Sequence, residues 1–190
     1  MARAPKITTV GHSTRTIDAF LALLREHAIE VLVDVRRYPG SRRNPQFGQA
    51  ALAVALAGQG IEYRHEPDLG GRRAPRADSP NQAWRNPGFR GYADHMASAE
   101  FEDALARVLD LARGREVALM CAEAHPARCH RRLLSDAALV RGFEVLHAIE
   151  PDRTERHELH PDAQVGPHAR IVYPAKTQTS RAGQGEIEFG

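Results

Sequence analysis

Three clusters of polar residues contain most of the side chains in this sequence that could do chemistry. The first reads Gly-His-Ser-Thr at residues 11–14, the second begins with Asp-Val-Arg at 34–36, and the third begins with Cys-Ala-Glu at 121–123. Each cluster follows a short apolar segment with the composition of a β-strand. Because imidazole, carboxyl and thiol groups act as general acids, general bases or nucleophiles, these clusters are the candidates for an active site.

The candidate catalytic residues are His12, Asp34, Cys121 and Glu123. His12 could act as a general base, and the two carboxylates could act as general acid or base. Structural roles stay open for two of them. His12 could be a hydrogen-bonded structural histidine, and Asp34 could form an ion pair that orients Arg36.

The position of Cys121, between a predicted strand and a loop that leads to a helix, resembles that of the nucleophile in phosphatase and rhodanese loops. In those loops main-chain amides and an arginine hold an oxyanion, and the helix dipole lowers the thiol pKa. Here the spacing to Arg128 is one residue longer than in phosphatases, and the loop contains no glycine. Cys121 is therefore either a nucleophile, with Cys129 as a candidate resolving thiol, or a buried cysteine that ends a core strand.

A metal site is a further interpretation of the third cluster. Its soft ligands follow the pattern C-x3-H-x3-C-H and are Cys121, His125, Cys129 and His130. The pattern lacks the C-x2-C pair of common zinc sites. Moreover, Cys129 and His130 are adjacent, and from a helix their side chains would point in different directions. The sequence therefore predicts no cofactor, with zinc as the alternative.

The cations of this sequence are unusual, because 24 of 26 are arginine, and the segment 36–90 contains ten arginines against four acids. The planar guanidinium group suits phosphate and carboxylate, so this part of the chain is expected to face an anion. Arg131 lies in the first turn of a predicted helix, where free amides also favour anions. The candidate anion-binding residues are Ser13, Arg36, Ser41, Arg42, Arg43 and Arg131.

Residues 67–91 contain four prolines and four glycines, and they form a predicted loop that is too long for a simple connection. Aromatic residues alternate there with arginines, which suits stacked bases and phosphates, or a lid over a small anionic substrate. A peptide-binding flap is the third interpretation. The aromatic residues are expected to tether the loop. The candidate lid or base-stacking residues are Arg72, Arg73, Trp84, Phe89, Arg90 and Tyr92.

Strand-like and helix-like segments alternate up to about residue 150, which predicts an α/β fold with a mostly parallel sheet of about five strands and helices on both faces. In such sheets ligands bind beyond the carboxyl ends of the strands, where the three clusters lie. The predicted strands are 7–10, 31–35, 61–64, 117–121 and 143–149. The first predicted helix begins at Ile17, after the N-cap Thr16. The other predicted helices span 49–57, 101–111 and 131–140.

The 190 residues are enough for one domain of ordinary size, predicted to span 1–150. Residues 151–174 form an extension with a candidate hairpin at 158–173, and the polar segment 175–190 is expected to be disordered. No run of about 18 apolar residues occurs, so no membrane span is predicted. The amino terminus lacks the features of a signal peptide, and the two cysteines form no disulfide framework, so a reduced cytoplasmic setting is expected.

Seven short motifs occur in an order that resembles the bacterial and archaeal family catalogued as domain of unknown function 488. The resemblance covers about residues 7–148 and implies a single α/β domain, but little about activity. The motifs are Gly-His-Ser-Thr at 11–14, Asp-Val-Arg at 34–36, Pro-Gly-Ser at 39–41, Leu-Gly-Gly at 69–71, Phe-Arg-Gly-Tyr at 89–92, Cys-Ala-Glu at 121–123 and Cys-His-Arg at 129–131.

The function that the residues favour is an enzyme that acts on a phosphate-bearing substrate, either a nucleotide or a nucleic acid. The alternatives are a thiol-dependent enzyme, similar to sulfurtransferases or phosphatases, and a nucleic-acid-binding module without catalytic activity. The expected partner is an anionic small molecule or a nucleic acid, and a membrane is not expected. The sequence leaves the oligomeric state open.

Overall fold

The computed structural model describes residues 4–175, which form five α-helices, a six-stranded central sheet and a separate two-stranded sheet. The central strands are β1 (Lys6–Gly11), β2 (Val31–Asp34), β3 (Glu62–His65), β4 (Val117–Cys121), β5 (Glu144–Glu150) and β6 (Arg153–Arg156). The small sheet contains β7 (Gln164–Val165) and β8 (Ile171–Val172). The helices are α1 (Ile17–Glu26), α2 (Gln49–Ala57), α3 (Pro87–His95), α4 (Ala99–Ala112) and α5 (Arg131–Leu139).

The central sheet has the strand order β3-β2-β4-β1-β5-β6. Strands β1 to β5 are parallel, and β6 is antiparallel to β5 at one edge. The predicted α/β fold with a mostly parallel sheet is therefore confirmed, and β6 adds a sixth strand to the predicted five. Among the helices of residues 4–175, none is long and apolar enough to cross a membrane.

Helices cover both faces of the sheet. Successive side chains of a strand point to opposite faces, so neighbouring residues of β2 pack against different helices. Val31 and Val33 of β2 pack in a core cluster with α3, α4 and α5. Leu32 between them packs in a second cluster with α1 and α2. As predicted, Thr16 caps α1, and its side chain accepts a hydrogen bond from the Ala19 amide. All five parallel strands end at the same edge of the sheet.

The segment predicted as a loop at 67–91 is partly regular. A 3₁₀ turn covers Pro67–Leu69, and α3 begins at Pro87, so the last five residues of the segment are helical. Asn86 caps α3, since its side-chain oxygen accepts from the amides of Gly88 and Phe89 at 2.8 and 3.3 Å. Asparagine followed by proline is a common start of a helix. The glycines of this segment favour a loop instead, so the sequence did not predict α3.

The residues after β5 extend both the sheet and the core. Within the candidate hairpin segment, β7 and β8 are paired in antiparallel fashion. Tyr173 is fully buried, and its main chain is bonded to Asn81 and Ala83. Its hydroxyl donates to Asp136 of α5 at 2.7 Å. The segment 175–190, predicted as disordered, lies outside the described residues apart from its first residue.

A chain of buried polar side chains links α5 to the central strands. Asp136 Oδ1 accepts from His157 Nε2 at 2.8 Å, and His157 Nδ1 lies 3.0 Å from His147 Nε2. His147 Nδ1 lies 2.7 Å from Thr9 Oγ1, which also accepts from the Arg131 guanidinium at 3.4 Å. This series of polar contacts therefore connects His157, which follows β6, to Arg131, the first residue of α5, by way of β5 and β1.

We expect the free energy of unfolding to decrease as the pH falls below 6.5. Burial, assisted by the charges of His157 and Arg131, lowers the pKa of His147 from 6.5 to about 3. The unfolded chain therefore takes up a proton at His147 between these values that the folded chain does not. His147 alone is expected to contribute a loss of about 1 kcal/mol per pH unit.

Urea unfolding between pH 6.5 and 5 measures this slope, since native carboxylates stay ionised there. In His147→Asn the free energy of unfolding should depend less steeply on pH, by the equivalent of about one proton taken up on unfolding, whatever the change in absolute stability. An unchanged slope in the variant would exclude His147 as one of its sources.

Candidate functional site

A cavity of about 790 Å³ lies at the carboxyl edge of the sheet, among the loops that follow β1, β2 and β4. The three polar clusters of the sequence meet at this cavity. Its lining includes three candidate catalytic residues, His12, Cys121 and Glu123. It also includes the anion-binding candidates Ser13, Arg36, Ser41, Arg42 and Arg43, and the lid candidates Arg72 and Phe89.

Asp34 does not line the cavity but holds Arg36 from below. One carboxylate oxygen accepts from the Arg36 amide and Nε at 3.0 and 2.8 Å. The other accepts from Arg36 at 2.6 Å and from the Tyr63 hydroxyl at 2.9 Å. Asp34 is fully buried, so its carboxylate is fully engaged in an ion pair. The geometry matches the orienting role that the sequence left open, not that of a general acid or base.

Arg36 is fixed on several sides. The same terminal nitrogen that binds Asp34 also donates to the Phe47 carbonyl at 2.9 Å, and His65 Nε2 lies 2.8 Å from the Arg36 carbonyl. The other terminal nitrogen lies 3.4 Å from His12 Nε2, and Arg36 is part of the cavity lining. The guanidinium is therefore held in a defined orientation toward the cavity before any ligand binds.

His12 is a neutral imidazole whose unprotonated nitrogen accepts a hydrogen bond from Arg36. Its Nδ1 donates to the Ser13 carbonyl at 2.9 Å, because a carbonyl can only accept, and this leaves Nε2 unprotonated beside Arg36. The ring stacks on Phe47 with 4.4 Å between centroids. Burial, together with the charge of Arg36, lowers the pKa of His12 from 6.5 to about 4.

The two cysteines and His130 form a cluster in the cavity wall. Their ligand atoms, two Sγ and one ring nitrogen, lie within 4.8 Å of one another. The hydrogen bond to Cys129, together with burial, raises the pKa of Cys121 well above its usual value. Burial alone would also raise the pKa of Cys129, but the hydrogen bond from Cys121 and the charge of Arg131 lower it to about 7. Cys129 is therefore the more acidic thiol.

One sequence-based expectation about this cluster is wrong. The side chains of Cys129 and His130 do not point apart, because Cys129 has extended backbone angles and precedes α5. Its Sγ lies 3.5 Å from His130 Nδ1. His125, the fourth predicted soft ligand, lies apart from the cluster. Its Nδ1 accepts from the Ala127 amide, and its Nε2 lies 3.4 Å from Glu155.

Arg131 is not placed to bind a ligand anion, contrary to the sequence-based expectation. Its side chain is fully buried and does not line the cavity. The guanidinium donates to the main-chain carbonyls of Glu123 and Ala124 and to Thr9. Arg131 thus supports the loop that carries Glu123 from beneath. The sequence indicated the helix start but not the direction of this side chain.

Four of the six lid candidates order the segment 67–91 and do not line the cavity. Arg73 donates to the carbonyls of Gly70, Pro67 and Asp68 at 3.0 to 3.4 Å. Trp84 is buried in the core beside Tyr173. In addition, Arg90 donates to the Trp84 carbonyl, and the Tyr92 hydroxyl donates to the Leu69 carbonyl.

Sequence reasoning missed several residues that build the site. Phe47, Tyr63 and His65 position His12, Asp34 and Arg36, and nothing in their local sequence marks them. Arg37 and Asn86 line the cavity directly, and so does Arg128, which the sequence offered only by comparison with phosphatase loops. Gly71 was visible as part of a Gly-Gly pair, and its role is close approach. A Cβ atom on Gly71 would lie 2.9 Å from His130 Nδ1.

Two residues of the cavity wall have a left-handed backbone. Ser13 has a φ of 49° and Arg72 a φ of 60°, which residues with a Cβ atom adopt rarely. The amide of Ser13 is bonded to the Ala122 carbonyl at 2.9 Å, so the first and third clusters are joined through the main chain. Such strained residues concentrate at binding sites, where the surrounding structure holds them.

The cavity has a strong excess of positive charge. Six arginines line it, against one carboxylate, that of Glu123. Within residues 4–175, only one of these arginines, Arg36, has a carboxylate partner. The arginines are Arg36, Arg37, Arg42, Arg43, Arg72 and Arg128.

A family model described as Domain of unknown function DUF488 matches residues 16–138 of the chain. The matched span contains the second and third polar clusters, and residues 11–14 lie just before it. Neither the curated proteins nor the solved structures contain a significant match.

Proposed function

The chain belongs to the family Domain of unknown function DUF488, and we propose that it is an enzyme acting on a phosphate-bearing substrate in the arginine-lined cavity. The substrate class is a nucleotide or a nucleic acid. The observation that carries the proposal is the excess of six arginines over one carboxylate in the cavity wall.

Like charges gathered without counter-charges repel one another, so such a cavity favours an anionic ligand. Within residues 4–175, Arg42 and Arg43 have neither an ion-pair nor a hydrogen-bond partner, and both are exposed. Their guanidinium groups are therefore available for charge-assisted hydrogen bonds to phosphate oxygens. Arg36 is already oriented by Asp34, which lowers the cost of ordering it on binding.

His12 and Glu123 supply proton transfer in this proposal. His12 presents an unprotonated Nε2 beside Arg36, and a bound phosphate dianion would raise the pKa of His12, because negative charge favours the imidazolium form. Glu123 is exposed in the cavity wall and has no ion-pair partner among the described residues. One of the two takes the proton of an attacking water or hydroxyl as its oxygen bonds to phosphorus. The bond from phosphorus to the leaving oxygen breaks, the other residue donates a proton to that oxygen, and the arginines hold the developing charge.

A thiol-dependent enzyme is the second candidate function. The supporting observation is that Cys129 lines the cavity with its pKa lowered to about 7, as a nucleophilic thiol requires. The nucleophile of this alternative is Cys129, and Cys121, which the sequence favoured, is the protonated partner. Loss of turnover in Cys129→Ser with unchanged substrate affinity would favour this alternative.

We expect the double variant Arg42→Ala/Arg43→Ala to bind nucleotides much more weakly than the wild type. Each arginine should contribute about 1–3 kcal/mol through charge-assisted hydrogen bonds, so the affinity should fall at least tenfold. Titration calorimetry with a nucleoside triphosphate and a short oligonucleotide measures the change. The free energy of unfolding should stay within about 0.5 kcal/mol, since both side chains are exposed.

The control is Arg25→Ala, which removes one arginine charge near the end of α1, away from the cavity. It should leave both affinities unchanged. Equal affinities in the double variant and the wild type would remove the phosphate-binding proposal. Binding of the oligonucleotide with a steep salt dependence but without turnover would instead identify a nucleic-acid-binding module.

A further inference from the structure

We propose that Cys121, Cys129 and His130 bind a zinc ion, with a fourth coordination position open to the cavity. The inference does not depend on the phosphate-bearing substrate proposed above. It rests on the positions of three ligand atoms and on the hydrogen bonds around them.

The separations fit tetrahedral coordination. With Zn–S of about 2.3 Å and Zn–N of about 2.0–2.1 Å, two ligands of one zinc ion lie about 3.6 Å apart for S and N, and about 3.8 Å apart for two sulfurs. Cys129 Sγ lies 3.5 Å from His130 Nδ1, and all three ligand atoms lie within 4.8 Å of one another. An ion can therefore be placed among them with small movements of the side chains.

The histidine already has the tautomer that ligation needs. His130 Nε2 lies 3.3 Å from the Val35 carbonyl, and because a carbonyl only accepts, Nε2 carries the proton. The lone pair is therefore on Nδ1, which faces Cys129 Sγ. A metal-bound histidine commonly donates its other N–H to a carbonyl in this way. Gly71 leaves the space beside Nδ1 free of a side chain.

The chemistry of the ligands selects zinc rather than a hard cation. Two thiolates and an imidazole suit zinc, whereas magnesium and calcium prefer oxygen ligands. Two thiolates would also neutralise the charge of the ion, which makes its binding compatible with the arginines nearby. The Arg131 amide donates to Cys129 Sγ at 3.4 Å and so supports the thiolate form.

The cluster is open on one side. All three residues line the cavity, although both cysteines are almost fully buried. Structural zinc sites have four protein ligands, whereas catalytic sites have three and keep one position for water or substrate. The three-ligand cluster is therefore of the open kind, and a water or an anionic oxygen would occupy the fourth position.

Metal content and cobalt spectroscopy test the proposal on the full chain. Protein purified without chelator under reducing conditions should contain about one zinc per chain. Cobalt(II) added to the metal-free protein should give thiolate-to-cobalt charge-transfer bands and the visible bands of a tetrahedral ion. Cys129→Ser and His130→Ala should each weaken cobalt binding by more than about 100-fold, the upper limit for loss of a supporting residue.

Two controls separate this result from the proposed function and from misfolding. His125→Ala removes a nearby soft ligand that is outside the cluster, and it should bind cobalt like the wild type. Arg42→Ala/Arg43→Ala should retain the metal whether or not it loses nucleotide affinity. Circular dichroism melting shows which variants are folded, and if Cys129→Ser is not, His130→Ala decides.

Three results would overturn the zinc site. The first is a folded wild-type chain that contains no zinc and gives no tetrahedral cobalt spectrum. The second is a spectrum that stays the same in folded His130→Ala. The third is a native disulfide between Cys121 and Cys129 that persists under the reducing conditions of the purification.

Discussion

Replacing Asp34 by Asn is expected to destabilise the protein by about 3–5 kcal/mol, because it leaves the buried guanidinium of Arg36 without its counter-charge. The substitution keeps the size and shape of the side chain, so lost packing is not the cause. The free energy of unfolding in urea measures the loss. Nucleotide affinity should fall as well, since Arg36 loses the group that orients it.

Tyr63→Phe is the matched control for Asp34→Asn, because it removes one hydrogen bond to the same carboxylate and no charge. It should cost about 1 kcal/mol. Combining Asp34→Asn with Arg36→Gln should recover part of the stability, since no buried charge is then unpaired. If Asp34→Asn costs no more than Tyr63→Phe, the ion pair does not compensate the buried charge of Arg36.

Tyr173→Ala is expected to cost about 3–5 kcal/mol, as the truncation of a fully buried aromatic side chain does. The change leaves a hole beside Trp84, and Asp136 loses the hydroxyl that donates to it at 2.7 Å. Thermal unfolding with two probes, tryptophan fluorescence and circular dichroism, measures the effect. The two probes should report one cooperative transition, because the extension shares the core of the α/β domain.

The control for Tyr173→Ala is Tyr38→Ala, which makes the same chemical change at a side chain that is 60% exposed. It should change the stability by less than about 0.5 kcal/mol. A small effect of Tyr173→Ala, or two separate transitions in the wild type, would mean that residues 151–174 fold independently of the rest.

Most of the fold could be predicted because its signals are local. All five predicted strands end within one residue of the observed ones. The clearest signals come from β2 and β4, because parallel strands buried on both faces have continuous apolar segments. The strand β6 could not be predicted, because its sequence Arg-Thr-Glu-Arg has no apolar face and three of its residues are exposed. It joins the sheet as an edge strand, antiparallel to β5.

The place of the site followed from the fold, but the directions of its side chains did not. Parallel strands end at one edge, so His12, Arg36 and Glu123 could be placed at one cavity from sequence. Whether a polar side chain at that edge points into the cavity or beneath it depends on rotamers and on neighbours far away in sequence. Asp34 and Arg131 both point beneath it. The partner of Asp34 is Arg36, which the sequence offered as an alternative, whereas no local pattern reveals the carbonyls that Arg131 binds.

The buried position of Tyr173 has a consequence for how the protein is made. A ribosome adds residues from the amino end, so every residue of the cavity wall is synthesised before Tyr173. Until Tyr173 has left the exit tunnel, Trp84 and the Asp136 carboxylate lack the aromatic ring and the hydroxyl that cover them in the finished fold. A ribosome stalled before residue 173 therefore displays a chain that has all of its cavity residues but a core still open on the Trp84 side.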